Sequence, residues 1–264
     1  MIIDFHTHAF PDKIAKKAIG GLITSASSRY APTTDGTVSD LIRNMDYCGI
    51  DKSVVMPVLT KPTQFKKNCE WIKEIESDRI IPFGGVHPAT KDYKSDIKLL
   101  ASLGIKGIKF HAEFQDFEVD SPKMLKIYDY AFECGLIVLH HAGYDPSYLP
   151  PYKAIPERLA SARRQLGGGI FVAAHLGGHA FWDDVEKYLV GTDVYFDTSM
   201  GFNYYSHEQF LRIVKNHGAD KILFGTDTPW SDGKSEIEAL NSLPLTQEQK
   251  DKILGKNAQR ILGI

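Results

Sequence analysis

Cysteine is scarce in this chain. Cys48, Cys69 and Cys134 stand far apart, and no CxxC pair occurs. An odd, scattered set speaks against a disulfide framework and fits reduced thiols, so the expected compartment is the cytoplasm. No apolar run approaches the roughly 20 residues that span a bilayer. The amino terminus carries neither the basic stretch nor the long apolar stretch of a secretion signal. A surplus of positive charge is also missing: 31 basic against 33 acidic residues leave a formal net charge of -2. Electrostatic capture of nucleic acid is therefore not indicated. Low-complexity linkers and close internal repeats are absent, and no GxGxxG phosphate loop follows the first apolar run. What remains is a chain expected to act on a small molecule, with neither nucleic acid nor membrane as partner, and with a homodimer as the assembly to test for.

The 264 residues are 43% hydrophobic and 24% charged, ample for a globular core. A rhythm recurs along them: a short apolar or β-branched run, a polar or glycine-rich loop, then a helical pattern. The runs at 1–5, 52–58, 80–86, 104–110, 136–140, 169–175, 193–197 and 221–226 read as strands. Helical patterns fall at 38–48, 63–76, 91–102, 121–134, 153–166, 181–190, 207–217 and 246–262. Strands alternating with helices imply a parallel sheet with helical crossovers. At this length a single (β/α)8 barrel over residues 1–264 is the most economical closure, with a doubly wound open sheet as the alternative.

In such barrels the active site lies at the C-terminal ends of the strands, and most of the unusual polar residues fall there. His6 and His8 end the first run in MIIDFHTH. Alternation along a strand would turn both to one face, together with Asp4, so that two imidazoles could reach one ion. His87, Lys109, His111, His140, His141, His175 and Asp227 close later runs. Histidines clustered with a carboxylate suit zinc, whose catalytic sites keep a position open for water. Blander roles compete at each position. Only one of His140 and His141 can face inward; His175 could be a core histidine; Asp227 in GTDTPW could simply form a turn. Lys109 could be a salt-bridged inward lysine, and His87, before Pro88, a helix cap. His179, His207 and His217 lack strand-end context and read as structural.

DFHTH, GLIVLHHAG, AAHLGG, KILFGTDTPW and the closing ILGKNAQRILGI together resemble the amidohydrolase superfamily, specifically its amidohydrolase-2 branch, which also holds decarboxylases similar to aminocarboxymuconate semialdehyde decarboxylase. The resemblance covers essentially the whole chain. It implies a barrel with one or two divalent ions, zinc being the first expectation. The implied metal set is His6, His8, His141 and Asp227, with Asp227 contacting the activated water. It selects His141 over His140, and makes His175 either a group acting on substrate or a ligand of a second ion. The segment GIKFHAEFQ departs from the decarboxylases and is closer to a GxKxHP pattern of hydrolase relatives, with Ala112 in place of the proline. That favours hydrolysis of an amide, ester or lactone.

In this reading Asp227 shuttles the proton, His175 polarises the substrate or holds an oxyanion, and Lys109 and His111 pair with a substrate carboxylate. Non-oxidative decarboxylation is the alternative on the same site. An HxH nuclease would need a glutamate-bearing strand that the chain lacks, and a catalytically silent barrel is the competitor from outside enzymology.

Overall fold

The computed structural model describes residues 1–264. Its strands are β1 (Ile3–Thr7), β2 (Lys52–Val55), β3 (Ile80–Pro82), β4 (Gly84–Gly85), β5 (Gly107–Phe110), β6 (Ile137–His140), β7 (Phe171–Ala173), β8 (Tyr195–Asp197) and β9 (Ile222–Leu223). Pairing is parallel throughout, in the orders β1-β2-β3 and β4 to β9. β3 and β4 are one barrel strand interrupted at Phe83. The two ends of the sheet meet at a seam. There the Phe5 N–H donates to the Phe224 carbonyl and the Asp227 N–H to the His6 carbonyl, each at 2.8 Å, while Thr7 bridges Thr228 in parallel. The sheet is thus the (β/α)8 barrel that the alternating pattern implies, not an open one.

Period-two alternation sorts the side chains into two layers. Ile3, Phe5, Val54, Phe83, Leu139 and Val172 belong to a cluster filling the lumen, which Ala258 and Leu262 of the last helix, Asn257–Leu262, close from below. Ile108, Phe110, Val138, Phe171 and Phe196 face the other way and pack in the strand–helix layer. Gly255 lies so close to Met1 that a Cβ would stand 2.2 Å from the Met1 carbonyl oxygen, which holds this end tight against β1.

Helices Val38–Cys48 and His207–His217 have the predicted bounds. The first starts where the Thr37 side chain accepts from the Asp40 N–H and stops at Gly49, whose φ of 73° ends the helix. Two long helices have no counterpart in the predicted pattern, Asp12–Ser25 and Gly233–Ser242, nor has the single turn Ala112–Gln115. Asp12–Ser25 buries only Ala15 and Ile19, too little for an apolar stripe to be read from sequence. No helix is long and apolar enough to cross a membrane.

Candidate active site

Above the apolar lumen the last residues of the strands become polar. Strict alternation would place Asp4 with His6 and His8, but the β1–β2 register shifts between Asp4 and Thr7. Asp4 instead turns to the seam, accepting from the Thr226 N–H at 3.0 Å and the Thr226 hydroxyl at 2.6 Å. Burial pushes its carboxyl up to about 7 against these bonds. The shift leaves His6 above Phe5 on the cavity side. Gly225 permits this approach, since a Cβ there would lie 2.9 Å from His6 Cβ.

Hydrogen-bond partners assign the histidine tautomers. His6 Nδ1 faces Asp197 Oδ2 at 2.9 Å and must donate, because a carboxylate only accepts. His8 Nδ1 donates to the Met56 carbonyl at 3.0 Å. Both Nε2 atoms therefore present lone pairs in the neutral rings. They converge on Asp227 Oδ1, from 3.2 Å for His6 and 3.0 Å for His8. Two donors on one ion at about 2.0–2.2 Å stand roughly 2.8–3.6 Å apart at tetrahedral or octahedral angles. Both distances to Asp227 fit that spacing, and the donor set is the one zinc and related ions use. Burial disfavours the imidazolium of His6, and Lys109 adds to this. Burial would raise the Asp227 carboxyl, but His6 and His8 outweigh it and hold it well below the usual carboxylate range.

The remaining sequence candidates fall around this group. His141 faces inward, while His140 stacks on Phe110 in the strand–helix layer, both of its nitrogens unpartnered. His141 does not join the compact group of three; its nearest bond is to His175. His175 Nδ1 donates to the Ser199 carbonyl at 3.2 Å, so its Nε2 accepts from His141 Nδ1 at 3.0 Å. That leaves His141 Nε2 a buried lone pair with no protein partner. Burial keeps His141 and His175 neutral, the latter pushed down to about 3. His175 also lies in a second candidate cluster with His6 and Asp197. Lys109 Nζ donates to His6 Nε2 at 2.9 Å and is almost fully buried. His111 lines the cavity by its ring face, stacked at 4.1 Å on His141. Its edge is taken, with Nε2 on Asp145 at 3.1 Å and Nδ1 accepting from the Phe114 N–H. The expected pairing of His111 with a substrate carboxylate therefore has no free ring nitrogen. His87 caps, accepting from the Ala89 N–H at 3.0 Å.

Four partners went unread in the sequence. Asp197 closes β8, and its strand-end position was the signal available for it. It holds His6 Nδ1 through one oxygen and the His175 N–H through the other at 3.0 Å. Ser199 lies between the same two rings, 3.0 Å from His6 Nδ1 and 2.9 Å from His175 Nδ1. Asp145 orients His111. His179, read as structural, lines the cavity with a buried, unpartnered Nδ1. A Cβ on Gly143 would collide with its backbone at 2.4 Å, so only glycine lets the two loops bridge. His6, His8, His141, His175, His179 and Asp227 line one cavity of about 1380 Å³ at the C-terminal ends of the strands, with Asp197 and Ser199 behind them.

The fold has close counterparts among solved structures. An uncharacterised TIM-barrel protein from Bordetella bronchiseptica superposes with a TM-score of 0.78 at 19% identity, covering 99% of this chain and 98% of the other. A 5-carboxyvanillate decarboxylase from Novosphingobium aromaticivorans with bound manganese gives 0.71 at 14%, over 100% and 97%. A probable 2-pyrone-4,6-dicarboxylic acid hydrolase from Acinetobacter baumannii gives 0.66 at 18%, over 100% and 99%. At these identities the likeness is one of fold. No curated protein matches the sequence. The family model for amidohydrolases does, over residues 3–264, and the chain belongs to that family.

Proposed function

We propose that this chain is a metal-dependent hydrolase cleaving an amide, ester or lactone bond of a small, carboxylate-bearing molecule. One observation carries the reading: with their Nδ1 atoms donating elsewhere, His6 Nε2 and His8 Nε2 converge with Asp227 Oδ1, and the Lys109 ammonium on His6 is the one donor that reaches the group. A metal cation would satisfy all three acceptors at once. His6, His8 and Asp227 would hold it, with His141 Nε2 as the further donor and zinc as the first choice, manganese being the ion in one structural neighbour. When bound, such an ion supplies Lewis acidity and lowers the pKa of water from about 15.7 toward about 7.

The chain's own groups do the rest. Asp227 takes the proton of the attacking water and returns one to the leaving group. His175, whose Nδ1 donates to the Ser199 carbonyl and whose Nε2 accepts from His141, has no N–H left for the substrate carbonyl and instead turns the lone pair of His141 Nε2 into the cavity. Lys109, the one cation at the floor, pairs with the substrate carboxylate and leaves His6 Nε2 to the metal.

A second reading, non-oxidative decarboxylation, draws equal support from the decarboxylases among the structural neighbours. The same floor would bind the carboxylate, the carbon–carbon bond would break to release CO2, and Asp227, having first taken a proton from a water molecule, would pass it to the carbon left behind. Metal analysis of the purified protein, then a panel of lactones, esters and aromatic acids assayed for both acid release and CO2, separates the two. Acid without CO2 supports hydrolysis, and CO2 release supports the second reading. A folded protein that takes up no zinc or manganese overturns both.

A further inference from the structure

The cavity is larger than the proposed chemistry requires. Its volume of about 1380 Å³ exceeds the roughly 300–1,000 Å³ typical of small-molecule pockets. The histidine floor occupies only its inner end. The outer walls come from helix Asp12–Ser25 and from helix Phe65–Ile75 with the segment leading into it, which contribute Leu22 and Trp71 as apolar surface. These two elements also bring four lysines to the wall: Lys13 and Lys17, one helical turn apart, and Lys61 and Lys67. Most lysines of this chain stand apart from carboxylates; the ion-paired ones are Lys73 with Glu76, Lys153 with Asp116, Lys252 with Asp220 and Glu248, and Lys256 with Asp251. None of the four lysines on the wall has such a partner within 4.0 Å. The carboxylates lining the cavity are Asp145 and Asp227, both at the floor and both held by histidines. In a chain of net charge -2, the outer cavity is therefore a cationic, apolar-walled region.

We propose that this outer region is a second binding subsite, which takes an anionic group borne by the substrate at the far end of an apolar body. The inference rests on reading the cavity as the substrate site, and it narrows the substrate class to elongated molecules with two anionic ends. The distal anion is a carboxylate or a phosphate-type group. A concave, apolar wall continuous with the histidine floor fits the tail of a small molecule rather than an acidic protein surface.

Calorimetric titration of the full chain at low salt tests this with biphenyl-4-carboxylate, biphenyl-4,4′-dicarboxylate and 4′-phosphonobiphenyl-4-carboxylate as probes. The second anion should tighten binding about tenfold, and the advantage should shrink in about 0.5 M salt, where exposed charges are screened. The larger gain of the two dianions identifies the preferred group. In the variant Lys13→Gln/Lys17→Gln/Lys61→Gln/Lys67→Gln the advantage should vanish while the monoacid binds within about twofold of the parent. A Lys13→Gln/Lys17→Gln pair should lose part of it. All four positions are exposed, so both variants should melt near the parent temperature. Equal affinity for monoacid and dianions, an advantage that survives in the fourfold variant, failure of all probes to bind, or lysine dependence only with an oligoglutamate peptide would each overturn the subsite. No bond breaks in the titration, so an inactive enzyme and an absent subsite are separate results.

Discussion

The two ends of the barrel are built from the same strands and differ in almost every other respect. At the lower end Ile3, Phe5, Phe83 and Leu139 meet Ala258 and Leu262 in an apolar cluster with nothing to titrate. One or two residues further along, the strands present Lys109, His141, Asp197 and Asp227, buried and polar. Burial stabilises the first set at roughly 25 cal/mol per Å² of apolar surface. It works against the second, where Lys109, Asp197 and Asp227 survive because each faces a histidine ring, while His141 Nε2 has no protein partner at all. The lower end therefore carries stability, and the upper end holds groups whose arrangement opposes stability. Substitutions should separate the two.

The largest effect is expected at Asp227. Asp227→Asn keeps the size and one acceptor oxygen but cannot take a proton, so turnover should fall about 10²–10⁴-fold while much of the bound metal remains. His6→Ala should lose metal and activity together. Metal content and rate measured on both variants check this. An Asp227→Asn protein with parental turnover would make the carboxylate structural.

Phe83→Ala, at the lower end, should do the reverse. Truncating a fully buried Phe costs about 3–5 kcal/mol of stability. The rate per folded molecule should hardly move, as read by denaturant unfolding alongside kcat.

Lys109→Met should raise stability, a gain found only at the upper end. Burial pushes the ammonium down to about 8, against the pull of Asp197 and Asp227. The folded state therefore sheds this proton before the unfolded chain does. Between about pH 8 and 10.5 the unfolded state binds more protons, and the Lys109 contribution to stability rises with pH; below 8 its cost is present in full. In metal-free protein that cost is at most about 3 kcal/mol. Unfolding of parent and variant across this range should show the difference between them closing as pH rises.

The smallest effect is expected for Asp197→Asn. Its carboxylate fixes the His6 tautomer without touching the proposed ion, so metal affinity should fall about 10–100-fold. Restoration of activity at high metal concentration distinguishes this from damage to the fold.

The lower end was legible in the sequence because alternation of apolar residues is a local signal. The order of the strands and the bounds of Val38–Cys48 followed from it. His6, His8 and Asp227 were legible because histidines at strand ends are uncommon and their motifs are specific. Asp4 misled because a one-residue register shift in β1 is set by the neighbouring strand, not by the sequence around it. Asp197, Asp145 and Ser199 were hidden for another reason. Aspartate and serine are ordinary where strands run into loops, and only the approach of His6 from the opposite end of the chain makes Asp197 exceptional. His111 looked free for substrate because Asp145, its partner, lies on a loop with no periodic signal.

The seam between β1 and the last strand has a consequence for how the molecule comes into being. Asp4 and Thr226, bonded across it, are 222 residues apart in sequence. His6 and His8 leave the ribosome well before Asp227, which follows them by more than 200 residues. A nascent chain holds half of the site long before the other half exists, and contacts of such separation form late because their loop must close first. An ion gripped from both sides of the seam would then act as a clasp on a finished ring, fastening the two edges that folding brings together last.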